Sequence, residues 1–266
     1  MPPPVSKIQF SVACRLGLLL GCLMMAPHSS EAEDYSFSNS LAQAAVAEKN
    51  LDVPGALKIY NNAALAESTN SAGLCVLARK YCDLMYLTKS TDVLEDLARR
   101  ALDCSLEAVK ADSNNATAHA CVAVCYAKNS EFADVKTKIT YSRQIKIEAE
   151  KTVALDPKQD IGYYLLGRWN YGVANMGMVS RAFVRLVYGG LPAASNEEAV
   201  AEYKKAIVVT PDRIINHAGL AEVYETMGEE KLEIAELKKC RDLKPISFED
   251  RDAQRDAIKK LAALGQ

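Results

Sequence analysis

The 266-residue chain has little of what most catalytic or disulfide-stapled proteins are built from. It holds three histidines, one tryptophan and five phenylalanines. Glycine (13) and proline (9) together are under a tenth of the residues, which excludes low-complexity and collagen-like sequence. There is no Cys-x-x-Cys pair, so zinc-ribbon and thioredoxin-type sites have no ligands to work with, and no metal or other cofactor is expected. No His-Glu-x-x-His, Gly-rich phosphate loop or nucleophile elbow occurs, and an enzyme is not expected. An excess of one charge is missing too. With 32 basic and 34 acidic residues the net charge is −2, which gives no general attraction to polyanions and points away from nucleic acid.

What is abundant is alanine, 39 residues of the 266. Alanine is the strongest helix former, so an Ala-rich chain poor in Gly and Pro leans all-helical. Six cysteines follow the first thirty residues: Cys75, Cys82, Cys104, Cys121, Cys125 and Cys240. Their spacing is not that of a disulfide-rich module, and Cys121 and Cys125, one helical turn apart, point the same way. They read as small packing thiols.

The first thirty residues contain no Asp or Glu, and an 11-residue apolar run, Leu16 to Ala26, is followed by polar residues and small ones at Ser30 and Ala32. That run falls short of the about 18 residues of a comfortable membrane span. Residues 1–32 are expected to be a signal peptide or membrane signal anchor that directs the chain to a membrane or secretory route. Residues 33–266 are expected to form one helical array. Asn115-Ala116-Thr117 is a glycosylation sequon, meaningful only if that array enters the secretory lumen.

Internal periodicity decides the fold. Ala199-x3-Tyr203-x2-Ala206-x4-Pro211 recurs 34 residues later as Glu233-x3-Leu237-x2-Cys240-x4-Pro245. Between them lies His217-x2-Leu220-Ala221-x2-Tyr224, closed by Gly228. This resembles the tetratricopeptide repeat, a helix hairpin in which small residues permit close approach and large ones fill the gaps. The first-helix pattern returns at Leu74, His119 and Tyr163, and the second-helix pattern at Ala56, Ala101 and Ile145. The expectation is an all-α, right-handed superhelix of about five hairpins with an inserted helix near 178–188 and a C-terminal capping helix near 247–264. Helices are expected near 38–50, 54–67, 72–88, 91–111, 115–128, 131–155, 160–177, 195–209, 213–227 and 229–243 as well.

Leu165-Leu166-Gly167-Arg168-Trp169-Asn170-Tyr171, an apolar insert, Gly189-Gly190-Leu191-Pro192, then Glu197-Glu198-Ala199 and Tyr203-Lys204-Lys205-Ala206 stand in one order. That order resembles the regulator of microtubule dynamics family. The resemblance implies a non-catalytic adaptor whose concave face binds protein partners, among them tubulin in microtubules or organelle proteins. It implies a cytoplasm-facing place at microtubules, mitochondria or the endoplasmic reticulum, and phospholipid binding in one branch.

The candidate binding residues follow from the repeat frame. Arg79, Tyr164, Arg168 and Tyr171 fall toward the concave side, and the planar guanidinium of Arg168 suits a carboxylate or phosphate. Trp169 is its neighbour, as partner in binding or as packing. In the insert, Phe183 sits among Val179, Leu186 and Val187 at helical spacing, with Arg181 and Arg185 one turn apart. The insert is expected to line an apolar ligand channel with both arginines at its mouth, to lie against a membrane, or to seal a gap in the stack. The lipid-binding or lipid-transfer module is the alternative function, and an exported repeat scaffold another.

Overall fold

The computed structural model describes residues 30–266, with side chains from Ser36 onward. The expected leader thus lies outside the described residues, save for its last three. The helices are α1 (Ser30–Lys49), α2 (Val53–Ala66), α3 (Ser71–Leu84), α4 (Thr91–Ala111), α5 (Ala116–Ser130) and α6 (Val135–Leu155). Then come α7 (Asp160–Ala174), α8 (Met178–Tyr188), α9 (Asn196–Val209), α10 (Ile214–Met227), α11 (Glu230–Asp242) and α12 (Phe248–Ala263). A 3-10 turn, Met85–Leu87, follows α3, and no strand occurs among the described residues.

The breaks are built by side chains that satisfy orphan amides at helix starts. Asp52, Asn70, Asn115, Asp134, Ser195 and Ser247 each accept from a backbone N–H two or three residues on. Asn115 is the sequon asparagine. Its carboxamide also donates to Ser71 Oγ at 2.9 Å, so both ends of the amide are engaged in folding. Gly228 closes α10 at φ 74°, a left-handed conformation that a Cβ would strain.

The helices pair as α1/α2, α3/α4, α5/α6, α7/α9 and α10/α11, with α12 covering the last pair. The first helix of each later hairpin also packs on the next: α3 on α5, α5 on α7, α7 on α10 and α10 on α12. The second helices pack mainly on their own partner and the following first helix, and far less on each other. Helices in mutual contact line the inside of a curved stack and those that splay apart line its outside. The inner face therefore belongs to α3, α5, α7, α10 and α12. Hairpin spacing beyond 34 residues comes from α4 and α6, which run 21 residues against 14 in α9, and from α8 inserted between α7 and α9.

Close approach rests on alanine. Ala56, Ala101, Ala108, Ala123, Ala199 and Ala206 are fully buried where paired helices meet. The six cysteines are all free and buried, as packing thiols should be.

One polar device occurs twice. His119 on α5 meets Glu148 of α6 with Nδ1, and its Nε2 lies 2.9 Å from the carbonyl of Ser113 in the preceding loop. His217 on α10 meets Glu236 of α11 at 2.6 Å and the Pro211 carbonyl at 2.7 Å in the same way. Each glutamate also accepts from a lysine three residues on, Lys151 or Lys239, at 2.9 Å. Each imidazole meets a glutamate carboxylate at one ring nitrogen and a backbone carbonyl at the other. Burial alone would raise the Glu236 carboxyl, but its bonds from His217 and Lys239 outweigh that and hold it below the usual carboxylate range. The triads tie first helix, second helix and incoming loop together.

The capping helix is anchored by a buried carboxylate. Asp250 on α12 accepts from the backbone N–H of Ile215, at the start of α10, at 3.1 Å and from that of Ile246 at 3.2 Å. The start of a helix is where an anion is best placed.

Candidate functional site

The inner face carries a tyrosine-floored groove in its C-terminal half. Tyr203 of α9 is buried, and its ring lies between Gly167 of α7 and Gly219 of α10. Tyr164 of α7 meets it edge-on with centroids 5.9 Å apart. Above this floor Arg168 is exposed, and its Nη1 donates to the Tyr164 hydroxyl at 3.3 Å. Tyr164 beside it pushes the Arg168 guanidinium above its ordinary value, so it stays charged. Among the described residues Arg168 has no carboxylate in ion-pair range: seven other arginines do reach a carboxylate or carbonyl, but this one meets only tyrosine. Tyr171, one turn on, bridges to Thr226 of α10 at 3.0 Å and fixes the spacing of the two helices.

Arg79 lies on the same inner row, on α3, exposed and without an ion-pair partner among the described residues. Four sequence-predicted residues, Arg79, Tyr164, Arg168 and Tyr171, thus share the inner face. Trp169 does not. One residue on from Arg168, a helix has turned by about 100°, and the indole is buried against α6 instead. It donates to the Ser142 carbonyl at 2.8 Å, with Lys146 Nζ 4.5 Å from a ring centroid. There it packs between α7 and α6.

The insert departs further from expectation. Arg181 donates to the carbonyls of Val173, Ala174 and Met176, closing the end of α7 rather than standing at a channel mouth. Phe183 packs edge-on to Tyr188 at 5.8 Å, and Arg185 is exposed. Only Val184 of α8 is buried, so the helix neither lines an apolar channel nor seals the stack. A hollow of about 460 Å³ opens elsewhere, between α4, α5 and α6, and its wall mixes Asp92, Glu95, Asp96 and Arg99 with Phe132, Ala133 and Tyr141. Four charged side chains in one wall do not suit an acyl chain.

Sequence reasoning missed the closure of the groove. Tyr86, in the 3-10 turn after α3, stacks on Phe248 at the start of α12 with centroids 5.3 Å apart and rings 7° from parallel. Lys128 of α5 donates to the Tyr86 hydroxyl at 3.2 Å and lies over that ring, and Arg251 lies over Phe248 at 5.3 Å. Burial pushes the Tyr86 phenol up to about 12. The inner row therefore curls until its second hairpin touches its capping helix.

The family described as regulator of microtubule dynamics protein 1-3 matches residues 39–265. The chain belongs to that family. Regulator of microtubule dynamics protein 1 of Mus musculus is 28% identical over 200 residues, covering 74% of this chain and 66% of that one. Protein 3 of Xenopus laevis is 27% identical over 195 residues, 71% of this chain and 41% of that one. The chain thus spans less than two thirds of these relatives' length. A thermophilic tetratricopeptide protein of Thermus thermophilus superposes with a TM-score of 0.58 at 17% identity, over 86% of this chain and 100% of that one. The fold is a tetratricopeptide-like superhelix. The family match begins within α1 and ends within two residues of the last, so it takes in the whole stack of hairpins, α8 included.

Proposed function

We propose that this family member is a non-catalytic adaptor that holds an extended acidic segment of a protein partner along its inner groove, between Arg79 and Arg168. The observation that carries the reading is Arg168, an exposed guanidinium without a carboxylate partner among the described residues, above a floor of Tyr164 and Tyr203. A planar five-donor group over aromatic rings is suited to an incoming carboxylate, and the tyrosines offer rigid contact area at low entropic cost. Tetratricopeptide-like folds of this family are typically scaffolds. No group of three or more His, Cys, Asp or Glu able to hold a metal occurs among the described residues.

The names of the relatives suggest microtubules as the partner, and tubulin's acidic surface fits the same chemistry. With a net charge of −2 on the chain, such contact is local to the groove rather than a general attraction. The test is co-sedimentation with polymerised tubulin over a range of salt. The intact chain pellets with microtubules at low salt, and Arg79→Glu with Arg168→Glu reduces that pelleting while leaving helical content unchanged. Pelleting at background across all salt concentrations refutes microtubules as the direct partner.

A further inference from the structure

Helix α8 turns its apolar side outward. Its one buried residue is Val184, and at about 100° per residue Val179 and Leu186 fall on the opposite side. Met178, Val179 and Leu186 are 89, 86 and 87% exposed, and Phe183 and Val187 about half exposed. A soluble helix normally buries such a face. Here the packing forbids it: α8 is held by two clamps, one to the end of α7 and one to α6. Arg181 holds its start to the end of α7, and Arg143 of α6 donates to the carbonyls of Tyr188 and Gly190 at its other end. Both clamps grip backbone, so the outward direction is fixed rather than incidental.

The two segments that meet here, α8 with its flanks and the first half of α6, are one-sided in charge. From Ile161 to Asn196 no acidic residue occurs, and none occurs from Val135 to Ile147 on α6. These two stretches carry Lys136, Lys138, Arg143, Lys146, Arg181 and Arg185 among the basic residues, in a chain whose acids outnumber its bases by two. Lys136, Lys138 and Arg185 are exposed with no carboxylate in ion-pair range among the described residues. Asp134 caps α6, Glu148 and Glu150 lie in its second half, and Glu197 and Glu198 open α9, so acids border the two stretches without interrupting them. Arg185 sits at the edge of the apolar face, where its stem can follow that face and its head remain in water.

We propose that α8 is a membrane-docking helix whose Met178, Val179 and Leu186 enter the interface of an anionic lipid bilayer while Arg185 and Lys136, which shares the side of α6 that carries Arg143, meet its headgroups. An amphipathic helix with apolar residues on one side and basic residues at its flank binds such interfaces, burying its apolar side about 5–10 Å deep. A second copy of the chain fits poorly, because a two-fold contact through α8 sets these like charges against each other. An acidic protein would meet the charges but leave three nearly full apolar side chains without a pocket.

The test uses the full chain with Val179→Trp or Leu186→Trp and vesicles of phosphatidylcholine with or without phosphatidylserine. The unmodified chain, whose Trp169 is buried against α6, is measured alongside, so the difference between the two spectra reports the new indole on α8. Its emission shifts to the blue with anionic vesicles, and lipids brominated on the acyl chain quench it. Little change is expected with phosphatidylcholine alone. Reversing Lys136 or Arg185 to Glu weakens the response by about fivefold for each charge removed. Arg168→Glu, on the inner face, leaves it unchanged. No shift and no quenching at any anionic content overturns the proposal. So does a blue shift without vesicles that grows with protein concentration, which assigns the face to a second copy. So does a shift that requires microtubules rather than lipid.

Discussion

Gly219→Ala is the sharpest test of how the groove floor is built, because two general rules give it opposite signs. Gly219 lies within α10, and replacing a helical glycine by alanine ordinarily stabilises by about 0.8–1.0 kcal/mol. In this structure a methyl at that position meets the Tyr203 ring, 2.5 Å from Cζ and 2.7 Å from Oη. The ring cannot retreat. It is 1% exposed, and on its other side the backbone of Gly167 comes so near that a methyl there would lie 3.0 Å from Cγ. Overpacking a core costs about 1–3 kcal/mol, so the gain is cancelled and the net effect is a loss of up to about 2 kcal/mol. The assay is urea unfolding followed by far-ultraviolet circular dichroism, with Gly172→Ala as the control. Gly172 lies in α7 with nothing within 4 Å of an added methyl, so the control shifts the midpoint upward. In a double-mutant cycle Tyr203→Leu costs less in the Gly219→Ala background than alone, since there it also relieves the clash. A higher midpoint for Gly219→Ala refutes the reasoning and means that the ring is not pinned between the two helices. Tyr203 is also the floor beneath Tyr164 and Arg168, so the variant is expected to weaken groove binding while Gly172→Ala leaves it intact.

Three other outcomes follow from the same geometry. Glu236 is held below the usual carboxylate range, so the unfolded chain binds its proton first as pH falls. The stability it contributes is present at neutral pH and is lost on acidification through its folded-state value; Glu236→Gln flattens that acid limb of a stability–pH profile. Phe248→Ala removes the stack on Tyr86, costs about 1–2 kcal/mol and speeds hydrogen exchange in the Met85–Leu87 turn; exchange unchanged there would mean that the closing contact does not persist in solution. Burial pushes the Cys104 thiol up to about 11 and Cys240 to about 12, so neither reacts with a thiol reagent at neutral pH until denaturant unfolds the array.

Local rules made the helices legible. Every expected helix from 54 to 264 is present, and six of its starts carry a capping side chain recognisable in the sequence, Ser195 ahead of Glu198 among them. The bounds shift most at three places: α1 is already helical at Ser30, the first described residue, rather than from near 38, α3 ends at Leu84 rather than 88, where a 3-10 turn takes over, and α6 begins at Val135 rather than 131. The groove side of α7 was legible for the same reason: a repeat frame fixes the direction of each side chain, so Arg168 and Tyr171 face inward and Trp169 falls on another face. Contacts between distant elements were not. Tyr86 and Phe248 stand far apart in the chain, and neither lies in a pattern that announces a partner. The direction of α8 was hidden for a subtler reason. Its periodicity shows that one side is apolar, but not whether that side faces core or solvent. That choice is made by Arg181 and Arg143 gripping backbone carbonyls, which any sequence supplies and none advertises.

The same helix, α7, explains how the two faces of the fourth hairpin stay independent. Arg168 and Trp169 are adjacent in sequence, yet one stands over the Tyr164–Tyr203 floor and the other packs on α6, the helix whose Arg143 clamps α8. A partner segment in the groove meets α7 from the inside. A surface at α8 meets it only through α6 and the carbonyls that Arg181 grips, on the outer side. Neither ligand needs a residue the other uses, and neither has to displace a helix to bind. Coupling between two sites needs an element that both bias, and α7 is held from both sides by Tyr171–Thr226 and Trp169–Ser142. An adaptor built this way joins two partners additively. Groove affinity measured with and without anionic vesicles should therefore agree within a factor of about two, and a larger difference would show α7 moving between two positions.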